Sequence, residues 1–242
     1  MAASDAGMVR EDEVHGSAGV DRRTLLIGAG STAVLLGVGG LRYVGSVPQV
    51  RPPGGQDEDH LIAACIRCNR CVEACPMQVI VPSRIEYGIL GMRTPRLEFS
   101  ENPPGDMDGI AFCDFCAEAN DGVPLCVQVC PTEALKVPEG EVVEDTILGV
   151  AELDKDLCMA YRSGFCAFCH DACIEARGEE AAAIYYVGSE DGTSMLPVVD
   201  AERCNGCGAC ESVCVSIQDG SVVNAKERAI VVRSLEYLEV AE

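Results

Sequence analysis

Apolar positions along this chain come in short bursts separated by polar and turn-forming residues. Leu61 to Ala64 follows the acidic run Asp57-Glu58-Asp59, a pattern that predicts a short helix with an acidic N-terminal cap. Val79-Ile80-Val81-Pro82 is brief and apolar, and Arg93 to Phe99 (RTPRLEF) reads as extended chain. Met195 to Asp200 and Ala229 to Val232 read as two further strands, one before and one after a cysteine-rich stretch. No burst is long enough for the helices of a bundle, so the pattern predicts an α+β fold of small elements.

One apolar run is of another kind. Leu25 to Leu41 is weakly apolar and rich in Gly and Ala, and Asp21-Arg22-Arg23-Thr24 stands directly before it. A twin arginine ahead of such a run is an address for the Tat export route. Val44-Gly45-Ser46 offers small residues for cleavage near Ser46. Retention as an anchor is the other outcome, the run being at the short limit for a membrane span. The same run holds Gly28-Ala29-Gly30-Ser31-Thr32-Ala33, a match to the dinucleotide fingerprint G-x-G-x-x-A. It lacks the strand–turn–helix setting and the acidic residue about 20 positions on, so it is read as part of a small-residue signal core. The segment SVPQVRPPGGQ, residues 46–56, has linker composition. The expected organisation is therefore a signal segment over 1–46, a Pro/Gly linker over 47–60 and one folded domain over 61–242.

Composition changes the picture of the core. The 242 residues include no Trp, only 5% aromatics and 16 cysteines, so inorganic staples are expected to replace part of the usual aromatic packing. The formal charge is −21, and four thiolate-ligated clusters would add roughly −8. Such a charge excludes nucleic acid as a partner and favours a basic redox protein or a basic patch on a membrane complex.

The cysteines fall into four groups of four with none left over. Cys65, Cys68, Cys71 and Cys75, followed by Pro76, have the spacing C-x2-C-x2-C-x3-C-P of a four-iron, four-sulfur loop. Cys113, Cys116, Cys126 and Cys130 repeat it with an insertion before the third cysteine, where Asn120-Asp121-Gly122 predicts a turn. Cys158, Cys166, Cys169 and Cys173 carry the insertion after the first, and Ile174 stands where the proline would be. Cys204, Cys207, Cys210 and Cys214 restore the unmodified spacing, with Gly206 and Gly208 where the loop must turn tightly.

Soft thiolates select iron–sulfur or zinc, but zinc sites seldom crowd three ligands into one short loop. Sixteen cysteines in an exported chain also admit a disulfide scaffold; the four-by-four spacing favours four [4Fe–4S] clusters. His170 adjoins Cys169, yet each group already has its four thiols, so it is assigned a place beside the ligands. No group is one cysteine short, and no P-loop or Ser/His/Asp set is present, so there is no active site of the chain's own. The reading is one-electron transfer along a row of clusters. In two-cluster ferredoxins the fourth cysteine serves the other cluster. Because groups one and four are unmodified and two and three carry insertions, a nested pairing is expected: Cys65/Cys68/Cys71 with Cys214, Cys204/Cys207/Cys210 with Cys75, Cys113/Cys116/Cys126 with Cys173, and Cys158/Cys166/Cys169 with Cys130. Sequential pairing of one with two and three with four is the alternative. Either way the fold class is α+β, ferredoxin-like, with two bis-[4Fe–4S] units in one compact domain after the leader.

The order of the four spacings, with Cys113-Asp114-Phe115-Cys116, Val123 to Pro131 (VPLCVQVCP), Cys158 to Cys166 (CMAYRSGFC) and Cys204 to Cys210 (CNGCGAC), resembles the NapG/MauM-type ferredoxin-like proteins. The resemblance implies an exported four-cluster protein, periplasmic or on the outer face of the cytoplasmic membrane. It would work beside a membrane quinol-oxidising ferredoxin-type partner and pass electrons to a c-type cytochrome or a periplasmic reductase. The alternative within electron transfer is the iron–sulfur subunit of a molybdopterin oxidoreductase.

Overall fold

The computed structural model describes residues 21–23, 26–27, 30–32, 47–100, 106–116, 122–138, 143, 146–189, 192–216 and 228–241. The chain divides into two compact units, Met1–Arg42 and Tyr43–Glu242. Most of the twin-arginine segment, including the cleavage region near Ser46, lies outside the described residues. Among the described residues no helix is long and apolar enough to cross a membrane.

The larger unit begins with α1 (Glu58–Ala64), where the predicted cap forms: the Asp57 carboxylate accepts the His60 N–H at 3.0 Å. A second helix, α2 (Arg70–Ala74), leads to β1 (Ile80–Pro82), which pairs antiparallel with β2 (Pro95–Leu97) in the register Ile80 to Leu97. The helix α3 (Leu125–Gln128) follows, and then β3 (Val150–Leu153), α4 (Met159–Ser163) and α5 (Phe168–Arg177). The chain closes with β4 (Ile184–Gly188), β5 (Met195–Val199), α6 (Ala209–Ser212), β6 (Ile230–Arg233) and α7 (Leu235–Ala241). The expected strands at Met195 and Ala229 are present as β5 and β6, but they lie in different sheets. β4 pairs with β5 and β3 with β6, both antiparallel, giving three two-stranded sheets among the described residues.

Period-2 alternation explains β6: Ile230 and Val232 point into the core, while Val231 and Arg233 are half-buried. A two-stranded sheet is marginal by itself. Here the sheets lean on one apolar cluster of Leu61, Val79, Ile80, Leu97, Phe99, Leu135, Ile230 and Val232, into which the cysteines also pack.

Residues 47–60 were expected to be a linker, and the structure corrects this. Gln49, Arg51, Pro52 and Pro53 are buried. The segment runs beside β2 as a strap: the Leu97 N–H donates to Val50 O at 2.8 Å and the Lys136 N–H to Gly54 O at 2.9 Å. The Arg51 guanidinium donates to Glu58, to Thr94 Oγ1 at 3.0 Å and to Pro95 O at 2.8 Å. Proline has no N–H to satisfy, so it can be buried without a donor partner. Composition that marks a linker also suits an extended wall strand.

Candidate iron–sulfur sites

All sixteen cysteines lie in the described region and none is in a disulfide. They gather around four positions. Site 1 is a hollow lined by Cys65, Cys68, Cys71 and Cys130. Site 2 is lined by Cys75, Cys113, Cys116 and Cys126. At site 3, Cys158, Cys166 and Cys214 pack in one cluster, and Cys166, Cys214 and Cys158 are the thiols that neighbour Cys169. Site 4 is lined by Cys173, Cys204, Cys207 and Cys210.

This grouping is the sequential alternative, and the nested pairing is overturned. Cys214 does not reach Cys65, Cys68 and Cys71; it stands with Cys158 and Cys169. Cys75 goes to group two, Cys130 to group one, and Cys173 to group four. The cause is helix packing, not likeness of spacing. In the first pair α2 carries Cys71 at one end and presents Cys75 just past the other, and it packs against α3, which does the same with Cys126 and Cys130. In the second pair α5 carries both Cys169 and Cys173, one turn apart, and packs against α6. Each short helix therefore ties its own loop to its neighbour's.

The missing proline in group three follows from the same geometry. The α5 helix continues past Cys173 to Arg177, where the Gly178 N–H closes it on Ile174 O at 2.7 Å. A proline at Ile174 would break that run. Elsewhere Cys75 sits at the helix end and Cys130 lies beyond one, where Pro76 and Pro131 cost nothing.

The backbone supplies donors to sulfur. Arg67 N–H reaches Cys65 Sγ at 3.4 Å, Leu125 N–H reaches Cys116 at 3.4 Å, Ala151 N–H reaches Cys204 at 3.4 Å and Ala183 N–H reaches Cys173 at 3.3 Å. Two hydroxyls follow crossing cysteines at the same interval: Thr132 Oγ1 lies 3.9 Å from Cys130 Sγ and Ser216 Oγ 3.3 Å from Cys214 Sγ. Ser216 already accepts the Ala229 N–H at 2.7 Å, so its own O–H is available to the sulfur. Sequence reading missed these donors, although Cys-x-Thr and Cys-x-Ser were a visible signal for the hydroxyls.

Burial, with repulsion from neighbouring groups, pushes eight of these thiols up. Cys71 rises to about 11 through burial and the neighbouring Cys65 and Cys130, and Cys207 to about 11 through burial and its neighbours Cys173 and Cys204. Cys113, Cys126, Cys169 and Cys210 are also raised by burial, then by surrounding thiols. Burial raises Cys130 as well, but the N–H groups of Leu135, Thr132 and Ala134 and the Thr132 hydroxyl outweigh it and leave this thiol below its ordinary value. Four crowded thiols with amides aimed at them suit a multi-iron core whose positive charge displaces the protons. Among the described residues no three His, Cys, Asp or Glu side chains converge as a single ion requires. The spread fits a cube that bonds each thiolate at a different corner better than it fits zinc.

The two pairs meet between sites 2 and 4. The Cys113 N–H donates to Cys207 O at 2.8 Å. Phe99, buried in the first half of the fold, lies against Gly208, where an added Cβ would meet the ring at 2.3 Å. The sites thus run in the order 1, 2, 4, 3. His170 is half-buried, 3.0 Å from the Asp171 carboxylate and with its ring tilted against Tyr186 at 4.5 Å between centroids. Glu211, next to Cys210, is buried and accepts the Val232 N–H at 2.7 Å. Burial dominates and lifts its carboxyl to about 7.

Comparison with known proteins agrees with this geometry. A 4Fe-4S dicluster domain matches residues 64–135, which contain both cysteine groups of sites 1 and 2, and a 4Fe-4S binding domain matches residues 195–216. The methylamine utilization ferredoxin-type protein MauM of Methylobacillus flagellatus is 34% identical over 168 residues, covering 69% of this chain and 64% of that protein. The ferredoxin-type protein NapG of Escherichia coli is 31% identical over 192 residues, 78% of this chain and 75% of that one. MauM of Methylorubrum extorquens is 32% identical over 206 residues, 80% and 84% of the two chains.

Proposed function

This chain belongs to the NapG/MauM family of ferredoxin-type iron–sulfur proteins, and from that premise we propose that it relays electrons outside the cytoplasm, from a membrane quinol-oxidising partner to a periplasmic cytochrome or reductase. The observation that carries the reading is the grouping of sixteen cysteines, none left over, into four sites placed in a row. Each site's four thiolates would hold one [4Fe–4S] cluster with every iron ligated, and the chemistry such a cluster would supply there is one-electron transfer. The ligands are Cys65/Cys68/Cys71/Cys130, Cys113/Cys116/Cys126/Cys75, Cys158/Cys166/Cys169/Cys214 and Cys204/Cys207/Cys210/Cys173.

The protein's own contribution is spacing, donors and access. Along α2, α3, α5 and α6 the two cysteines that serve neighbouring sites are four residues apart, which ties each site to the next, and the amide and hydroxyl donors to sulfur favour the reduced, more negative state. The row reaches the surface at both ends. Cys68 is exposed at site 1, and Phe165, beside Cys166 of site 3, is 73% exposed. Export by the Tat route, suggested by Arg22-Arg23, fits because that route carries folded, cofactor-loaded protein.

The experiment is reduction by quinol. Cluster-loaded protein mixed with quinol alone should stay oxidised, and should be reduced when membranes containing the quinol-oxidising partner are added. Equal reduction without membranes contradicts the relay, as does co-purification with a large molybdopterin subunit in place of a membrane partner.

A further inference from the structure

The chain as a whole is strongly acidic, but the stretch that forms one wall of site 1 is not, and on the opposite wall the exposed Glu133 is offset by Lys136 at 3.5 Å. Between Cys65 and Arg93 there are four arginines, Arg67, Arg70, Arg84 and Arg93, against two glutamates, Glu73 and Glu86, a local excess of positive charge in a chain of −21. Alone among the sixteen cysteines, Cys68 is exposed. Around it lie large apolar side chains left exposed among the described residues: Ile66 is 62% exposed, Leu90 59% and Ile89 48%. Arg70 and Arg93 are exposed and, with Ile66 and Cys68, line the rim of the site 1 hollow.

The apolar loop is held there deliberately by the fold. Arg67 donates to Met92 O at 2.9 Å, to Leu90 O at 2.9 Å and to Cys65 O at 3.3 Å, stapling residues 90–92 to the cysteine loop. An apolar centre beside the redox group, ringed by one sign of charge, is the anatomy of an electron-transfer interface. Exposed apolar clusters of this kind mark interaction sites.

We propose that this collar is the docking face for one redox partner whose own redox centre is surrounded by an acidic rim, and that electrons enter or leave the row at Cys68. The proposal rests on the reading that site 1 holds a cluster. It reverses, for this end of the molecule, the partner charge implied by the net charge. A lipid surface would also attract arginines and apolar side chains. It cannot exchange an electron with the one exposed cysteine at the centre of the collar, so the occupant is a redox protein.

The test uses the full, cluster-loaded chain, reduced with dithionite, and two small oxidants of opposite charge, ferricyanide and hexaammineruthenium(III). The protein loses one electron and ferricyanide becomes ferrocyanide. At an ionic strength of about 0.1 M the screening length is about 10 Å, so an oxidant at the collar responds to the local arginines more than to distant carboxylates. Arg70→Glu with Arg93→Glu should slow ferricyanide about tenfold or more and leave hexaammineruthenium(III) unchanged or faster. The control Glu179→Lys with Glu236→Lys shifts net charge by an equal magnitude in the opposite sense elsewhere on the exposed surface and should leave the ferricyanide rate within about twofold, which shows that the local arginines and not the total charge set the rate. An unchanged ferricyanide rate in the arginine variant, or equal loss with both oxidants, overturns the proposal. So does flotation of the protein with phosphatidylglycerol vesicles that the arginine variant abolishes, which would make the occupant a membrane. Iron and sulfide content, measured first on each sample, separates the readings. Iron-free protein removes the relay and the port together, whereas loaded protein indifferent to the arginine change removes the port alone.

Discussion

Replacing Gly206 by Ala tests how tightly the cysteine loop of site 4 is built into the fold. Gly206 has φ +73, and a Cβ there would lie 2.5 Å from Gly149 N and O and 2.7 Å from Gly149 C. Those are backbone atoms, fixed on one side by the Leu148 N–H to Asn205 O bond at 2.9 Å, so nothing flexible can yield. The left-handed conformation costs a non-glycine residue roughly 1–2 kcal/mol. Forcing a methyl group into a packed contact adds about 1–3 kcal/mol. The sum, about 2–5 kcal/mol, corresponds to a fall of roughly 4–20 °C in the temperature at which a domain of this size melts. Gly122 supplies the comparison, because it has φ +79 with nothing within 4 Å of the added Cβ, and Gly122→Ala should show only the conformational part. The assay is thermal bleaching of the visible iron–sulfur absorption in anaerobic samples, with iron counted before heating. If Gly206→Ala melts no lower than Gly122→Ala, the close approach of the two backbones is not what the structure depicts.

Three further outcomes follow from the geometry. Cys75→Ala should disturb the cluster held by Cys113, Cys116 and Cys126, lowering iron by about one to four atoms per chain, and should leave the EPR signal of the group-four cluster intact; loss of the group-four signal would restore the nested pairing. The Glu211 carboxyl is raised from 4.5 to about 7, so its protonated form is favoured by folding and the associated stability is present below pH 4.5 and lost as pH rises to about 7. At about 1.4 kcal/mol per unit this is on the order of 3 kcal/mol, and Glu211→Gln, which keeps an acceptor for the Val232 N–H, should remove the decline between pH 5.5 and pH 7.5 in urea unfolding midpoints; parallel pH profiles for the two proteins would refute it. Arg22→Lys with Arg23→Lys should leave the protein in the cytoplasm when cells are fractionated, and unchanged export would contradict the twin-arginine reading.

Local features of this chain were legible because their causes are local. Asp57 capping α1, the short strand at Ile80 and the extended run around Pro95 are set by neighbouring residues, and they form where expected. So is the triplet of cysteines in each loop, which only needs to wrap one cube. The fourth ligand was misread because it depends on which helices pack together. Likeness of spacing pointed to groups one and four, while the contact between α2 and α3 decides in favour of one and two. The strap at residues 47–56 was misread for a related reason. Pro52-Pro53-Gly54-Gly55 looks the same in solvent or against Leu135, and only the distant N–H donors of Leu97 and Lys136 distinguish the two. Likewise the burial of Glu211 follows from Arg228 and Val232 folding over it. Net charge is silent on distribution, since −21 averages over the arginines that fall between Cys65 and Arg93.

The most direct test of the whole account is the iron and acid-labile sulfide content of anaerobically purified protein, read together with an EPR-monitored redox titration. The account predicts about sixteen irons and about sixteen sulfides per chain, with cubane signals that appear on reduction. About eight irons, or zinc in place of iron, would mean that two or more of the four cysteine groups do something other than carry electrons.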